Sequence, residues 1–169
     1  LETIGPFSFC SINTASVIKL PSSVVTIDDN AFQNSGATFT FQDLPSQLDK
    51  IGDYAFENTI FSDTFDNFKL KSLSSIGCYA FNLRDIQKNI GELNLPGSCN
   101  FAKNSFGVAT FKNIIIKGGT VDTKSFEKVT IENSIEISDH ATIKADAFSG
   151  ASFISDKATF KIIDSEIES

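Results

Sequence analysis

The sequence has no tryptophan and no methionine, and it spends only one histidine, two tyrosines and four prolines over 169 residues. A single His140, with no nucleophile or second ligand placed near it, does not make a catalytic triad. Cys10, Cys78 and Cys99 are an odd set that cannot all pair within the chain. Their spacing matches no zinc pattern, so they are read as buried or idle thiols. Fourteen basic residues against 21 acidic ones give a net charge of -7. That balance argues against nucleic acid as a partner, because phosphate binding requires a basic face. No apolar run approaches the roughly 20 residues that carry a helix across a bilayer, and no charged-then-apolar leader opens the chain. Because Met is absent and Leu1 already stands inside a repeat, the sequence is expected to be a piece of a longer protein.

What is present is a 41% hydrophobic content, enough for a core, and 17 phenylalanines. The rings fall in a pattern. "IGDYAF" at 51–56 returns as "IGCYAF" at 76–81, and a looser form, an aliphatic residue or Phe, three variable residues, Ala or Ser, then Phe, fits seven times. The other copies are "IGPFSF" (4–9), "IDDNAF" (27–32), "FAKNSF" (101–106), "VDTKSF" (121–126) and "IKADAF" (143–148). Their terminal rings, Phe9, Phe32, Phe56, Phe81, Phe106, Phe126 and Phe148, recur every 20 to 25 residues. Repeats of that length mark stacked architectures, in which one unit cannot bury its apolar residues alone and at least three are required.

Between the hexamers lies a second element with apolar residues at period 2, the signature of a strand. It reads "IKLP" (18–21), "FQDLP" (41–45), "FKLK" (68–71), "LNLP" (93–96), "IIIK" (114–117), "IEIS" (135–138) and "FKII" (160–163). Each repeat is then strand, short turn, hexamer and loop. Successive strands would pair in parallel at about 4.8 Å, and the hexamer rings would stack as a ladder on the opposite wall. The repeat is well formed to residue 96 and degrades beyond it. The long loops, 57–67 with Phe61 and Phe65, 82–92 and 149–159, are read as covers for the ring ladder. Neither end carries a polar cap of the kind terminal repeats require, and Ile162, Ile163 and Ile167 still read as core.

These residues resemble the BspA-like leucine-rich repeats, also called the Treponema pallidum type. That family's repeat places strand residues and Pro before an I-G-x-x-A-F hexamer. Here "IKLPSSVVTIDDNAF" (18–32) and "LPSQLDKIGDYAF" (44–56) match it closely, and the match weakens over 101–169. The family's frequent Cys after the Phe is missing from most copies; only Cys10 comes near. The resemblance implies one leucine-rich-repeat domain over 1–169, a β-rich solenoid of about seven repeats. Its parallel sheet would line the concave face, with short or helical turns on the convex side. It also implies a cell-surface or secreted protein, bacterial in most cases, with adhesion to a host or matrix protein or a glycan as its role. No catalytic residues come with it.

In such a solenoid the outward residues of the strands form one column on the concave face. They are Lys19, Gln42 or Asp43, Lys69, Asn94, Ile115, Glu136 and Lys161, and they are the candidate ligand-binding positions. The column is polar, mixed in charge, and holds no aromatic platform and no basic stripe. Asp28 and Asp29 lack the spacing of a calcium loop, and "KGG" at 117–119 lacks the spaced glycines of a phosphate loop. No metal and no cofactor are expected, and no membrane insertion by this segment. The reading is therefore a non-enzymatic binding or adhesion module. A structural spacer is the alternative, and a carbohydrate-active β-solenoid stands behind it.

Overall fold

The structure, a computed structural model, describes residues 1–64, 66, 70–83, 90–95 and 99–168. The chain winds as a parallel β-solenoid with no α-helix among the described residues. One parallel sheet runs the length of the stack, and a second wall is made of a five-stranded and a two-stranded parallel sheet. The first has eight strands of two residues each: β1 (Thr3–Ile4), β2 (Thr26–Ile27), β4 (Lys50–Ile51), β6 (Ser75–Ile76), β8 (Asn100–Phe101), β10 (Thr120–Val121), β12 (Thr142–Ile143) and β15 (Glu166–Ile167). Each of the first seven of these strands ends on the first residue of a hexamer. Ile4, Ile27, Ile51, Ile76, Phe101, Val121 and Ile143 all turn into the core, at most 5% exposed.

The second sheet is built from β7 (Ile90–Leu95), β9 (Thr110–Lys117) and β11 (Thr130–Ser138), with β13 (Ser152–Phe153) and β14 (Thr159–Ile162) both on β11. Its strands contain the expected "IIIK" and "IEIS" stretches whole, residues 93–95 of "LNLP" and residues 160–162 of "FKII", in parallel register as anticipated. In the first half of the chain the same wall is thin. Only β3 (Thr38–Phe39) pairs with β5 (Ile60–Phe61), and Val17 makes one bridge to Thr38. "IKLP" forms no strand and "FQDLP" is a bend and turn, while the first half of "FKLK" lies outside the described residues. Proline contributes to the difference, although β7 reaches six residues directly before Pro96. Pro21 and Pro45 cannot donate to a ladder, so strands shorten or vanish beside them. Around β9 and β11 there is no proline, and the strands grow to eight and nine residues. The repeats that look most degraded in sequence thus carry the longest strands.

The hexamer is a tight turn whose every position answers a separate demand. The fourth residue is left-handed in all seven copies: Phe7, Asn30, Tyr54, Tyr79, Asn104, Lys124 and Asp146 have φ between 53° and 60°. That conformation costs a non-glycine residue about 1–2 kcal/mol, and it recurs because it turns the N–H toward the next coil. Tyr54 N–H donates to the Cys78 carbonyl at 2.7 Å, and Asn30 N–H to the Asp53 carbonyl at 2.8 Å. The terminal Phe donates in the same way to the small residue of the following turn. Phe9 bonds to Ala31, Phe32 to Ala55, Phe56 to Ala80, Phe81 to Ser105 and Phe126 to Ala147, at 2.7–2.9 Å. A larger side chain at those acceptors would push the turns apart, which explains Ala or Ser.

The seven rings stack face to face at 5.2–5.8 Å and within 14° of parallel, from Phe9 through to Phe148. A second set meets them edge-on. Phe39 packs on Phe32 and Phe56, Phe61 on Phe56 and Phe81, and Phe111 on Phe106 and Phe126. Phe61, in the segment read as a loop at 57–67, lies in strand β5 and packs on the ladder; Phe65 lies outside the described residues. At the ends the rings open, with Phe9 38% exposed and Phe148 half-buried. Gly52 and Gly77 are required by close approach: a Cβ at Gly77 would overlap the Asp53 and Gly52 backbone of the preceding turn. The buried hydroxyls of Thr59, Ser105 and Ser125 are all spent on backbone carbonyls.

Phe56 is fully buried between Phe32 and Phe81. Phe56→Ala should cost about 3–5 kcal/mol in urea-induced unfolding, the range for emptying a buried Phe site. A loss below about 1 kcal/mol would contradict the ladder as the core of the stack.

Candidate functional site

The outward face of the second sheet is carried on the longest of the described strands. Inward residues alternate with outward ones: Leu93 and Leu95, Ile114 and Ile116, Ile135 and Ile137 are buried. Parallel register then aligns the outward residues between turns. Asn94 faces Ile115, Ile115 faces Glu136, and Glu136 faces Lys161, so four of the candidate positions form one column. Asn94 and Lys161 are exposed, whereas Ile115 and Glu136 are half-buried.

Beside that column runs a second one that sequence reasoning missed. Glu92, Asn113, Ser134 and Thr159 occupy successive strands. Asn113 Nδ2 donates to Glu92 Oε2 at 3.4 Å, and Ser134 Oγ donates to Asn113 Oδ1 at 2.9 Å. This row shares its face with the first because it lies two residues back along each strand, a spacing visible in the sequence once the strand is extended beyond four residues. A bulge between Ile131 and Ser134 sets the register on β11.

Lys19 and Asp43 stand apart from the extended sheet, because their segments form no strand. They meet each other instead, Lys19 Nζ to Asp43 Oδ1 at 3.3 Å on the surface. The Thr40 hydroxyl, donating to Asp43 Oδ2 at 2.7 Å, is the main reason the Asp43 carboxyl lies below its ordinary range. Desolvation opposes that shift and the Lys19 charge adds to it. Lys69 lies outside the described residues.

The eight-stranded sheet carries a different surface, a polar groove of about 600 Å³. Lys50, Ser75, Asn100 and Thr120, each just before a hexamer, are register neighbours along one bank. Gly52, Gly77, Ala102, Asp29 and Asp53 complete the lining, with the Asp29 carboxylate close against Gly52 and that of Asp53 close against Gly77. The Lys144–Asp122 ion pair, 3.3 Å, closes one end.

One other pocket gathers titratable side chains among the described residues. His140, Asp164, Ser165 and Glu166 share a shallow pocket, but the Ser165 hydroxyl donates to the Ile163 carbonyl at 2.9 Å. Among the described residues no group of three His, Cys, Asp or Glu side chains could hold a metal ion. No described helix is long and apolar enough to cross a membrane. All three cysteines are free thiols, Cys99 buried and Cys10 and Cys78 half-buried.

Parallel strands stacked turn on turn, with one aliphatic ladder and one ring ladder facing inward, define a leucine-rich-repeat solenoid. The model of the BspA type leucine rich repeat region matches six copies, over residues 1–106 and 42–155, and the chain belongs to that family. Proteins of this repeat class are typically non-enzymatic interaction scaffolds. No curated protein and no solved structure gives a significant match.

Burial pushes the Cys99 thiol up to about 12 from its ordinary value of 9.0, with the charge of Asp49 adding to the shift. The unfolded chain therefore releases a proton near pH 9 that the folded chain keeps, so stability falls as pH rises from about 9 toward 12. Cys99→Ala should lose less stability than the parent between about pH 8 and about pH 10.5 in matched denaturant titrations. Equal losses in the two proteins would remove Cys99 from the alkaline response.

Proposed function

We propose that this chain is a non-enzymatic interaction module of a cell-surface or secreted protein, and that it serves adhesion by holding a protein partner on its five-stranded sheet. The observation that carries the reading is the column Asn94, Ile115, Glu136 and Lys161 beside the hydrogen-bonded row of Glu92, Asn113 and Ser134. Half-buried Ile115 sits amid polar and charged neighbours, the pattern of an apolar centre with a polar rim that protein interfaces use. Rigid strands hold these side chains at fixed spacing, so little conformational entropy is lost when a partner docks. The opposed charges of Glu136 and Lys161 would set partner choice and orientation more than raw affinity. The family supports the reading, since its repeats are interaction scaffolds.

A binding screen against purified extracellular-matrix proteins tests it, with a Glu136→Lys/Lys161→Glu variant as the control. The expected result is saturable binding that the charge-swapped protein loses by about tenfold or more. Silence from a folded sample across the panel would replace the reading with that of a structural spacer.

A further inference from the structure

The groove over the eight-stranded sheet differs in kind from the surface just described. It crosses the stack rather than following one strand. Its bank places Lys50, Ser75, Asn100 and Thr120 one strand spacing apart, about 4.8 Å per turn. Asn100 Oδ1 already accepts from the Thr120 N–H at 3.1 Å, which leaves the amide NH2 to donate elsewhere. Among the described residues no ion pair is made by Lys50, and no hydrogen bond by the Ser75 or Thr120 hydroxyl. Asp29 Oδ1 accepts from Asp53 N–H at 2.9 Å and Asp53 Oδ1 from Cys78 N–H at 2.7 Å. Each carboxylate thereby keeps a second oxygen for a ligand.

The groove is thus lined by a row of donors and hydroxyls together with the acceptors of Asp29 and Asp53. Its size falls in the ligand-site range, but its walls are polar where sites for apolar molecules are lined by hydrocarbon. Three carboxylates, Asp29, Asp53 and Asp122, disfavour a polyanion, while Lys50 and the Lys144 end disfavour a polycation. Backbone groups along β4, β6 and β8 are consumed by the turn-to-turn ladder, so strand addition is closed here. A hydroxyl both donates and accepts, so adjacent hydroxyls of one sugar ring can bridge an Asp and a Lys or Asn. We propose that this groove, from Lys50 to Thr120, binds a linear neutral oligosaccharide laid across the turns.

The test is an amide-resolved NMR titration of the whole chain with cellohexaose, laminarihexaose and mannohexaose, with hexalysine and a heparin hexasaccharide as charged probes. The expected result is saturable shifts at Gly77, Ala102 and Thr120 with at least one neutral hexaose and with neither charged probe. Ser75→Tyr fills the groove without removing any described hydrogen bond, and should weaken that binding by about tenfold or more. Lys50→Ala, at an exposed site, should weaken it by about threefold or more and leaves the fold untested by bulk. Glu136→Lys should leave it unchanged, which separates this site from the partner surface on the other sheet. No shift with any neutral hexaose, a response to hexalysine or heparin alone, or full binding by Ser75→Tyr would each overturn the assignment.

Discussion

The structure depends on one recurring contact: the N–H of a hexamer's terminal Phe, as at Phe9, Phe32, Phe56, Phe81 and Phe126, donates to the small residue of the next turn while the two rings stack. The bond sets the rise between turns, and the stack fills the space that rise creates. Either alone would be weak. A backbone hydrogen bond nets about 1 kcal/mol, and a ring pair adds about 0.5–1.5 kcal/mol beyond its burial. Coupled, they oblige every turn to adopt the same shape, because a turn out of register loses both at once. Left-handed Tyr54 and Tyr79, strained on their own account, persist because the N–H they present is needed in this ladder.

This constraint explains why two walls form and why they differ. The eight-stranded sheet follows the hexamers directly, so it runs through every turn but is only two residues wide. The other wall is free to widen wherever the chain permits. It stays narrow beside Pro21 and Pro45, and widens at β9 and β11, where isoleucines alternate without interruption. Function has room on both walls because neither outer face is needed to hold the stack together. The wide sheet offers a broad surface suited to a folded partner, and the narrow one a trough suited to a chain.

Much of this was legible in the sequence. The hexamer could be read because each of its positions meets a physical demand that repeats without change: Phe56 and Phe81 stack, and Ala55 and Ala80 admit the neighbouring turn. The column from Asn94 to Lys161 followed from period-2 alternation. The same alternation misled at Lys19 and Asp43, where a two-residue apolar pattern next to Pro looks like a strand and is not one. The eight-stranded sheet was hidden, since two residues are too few to show a period. Its polar bank of Lys50, Ser75, Asn100 and Thr120 shares no residue type, and only the stacking makes those four neighbours.

Native-state hydrogen exchange of the phenylalanine amides tests the central claim most directly. If the Phe-to-Ala or Phe-to-Ser bond governs the stack, the amides of Phe32, Phe56, Phe81 and Phe126 exchange together and among the slowest in the chain, through openings that disrupt several turns. Exchange of these amides at rates near those of an unfolded peptide, or independently of one another while the β9–β11 amides stay protected, would show that the wide sheet holds the protein together and that the ring ladder only follows it.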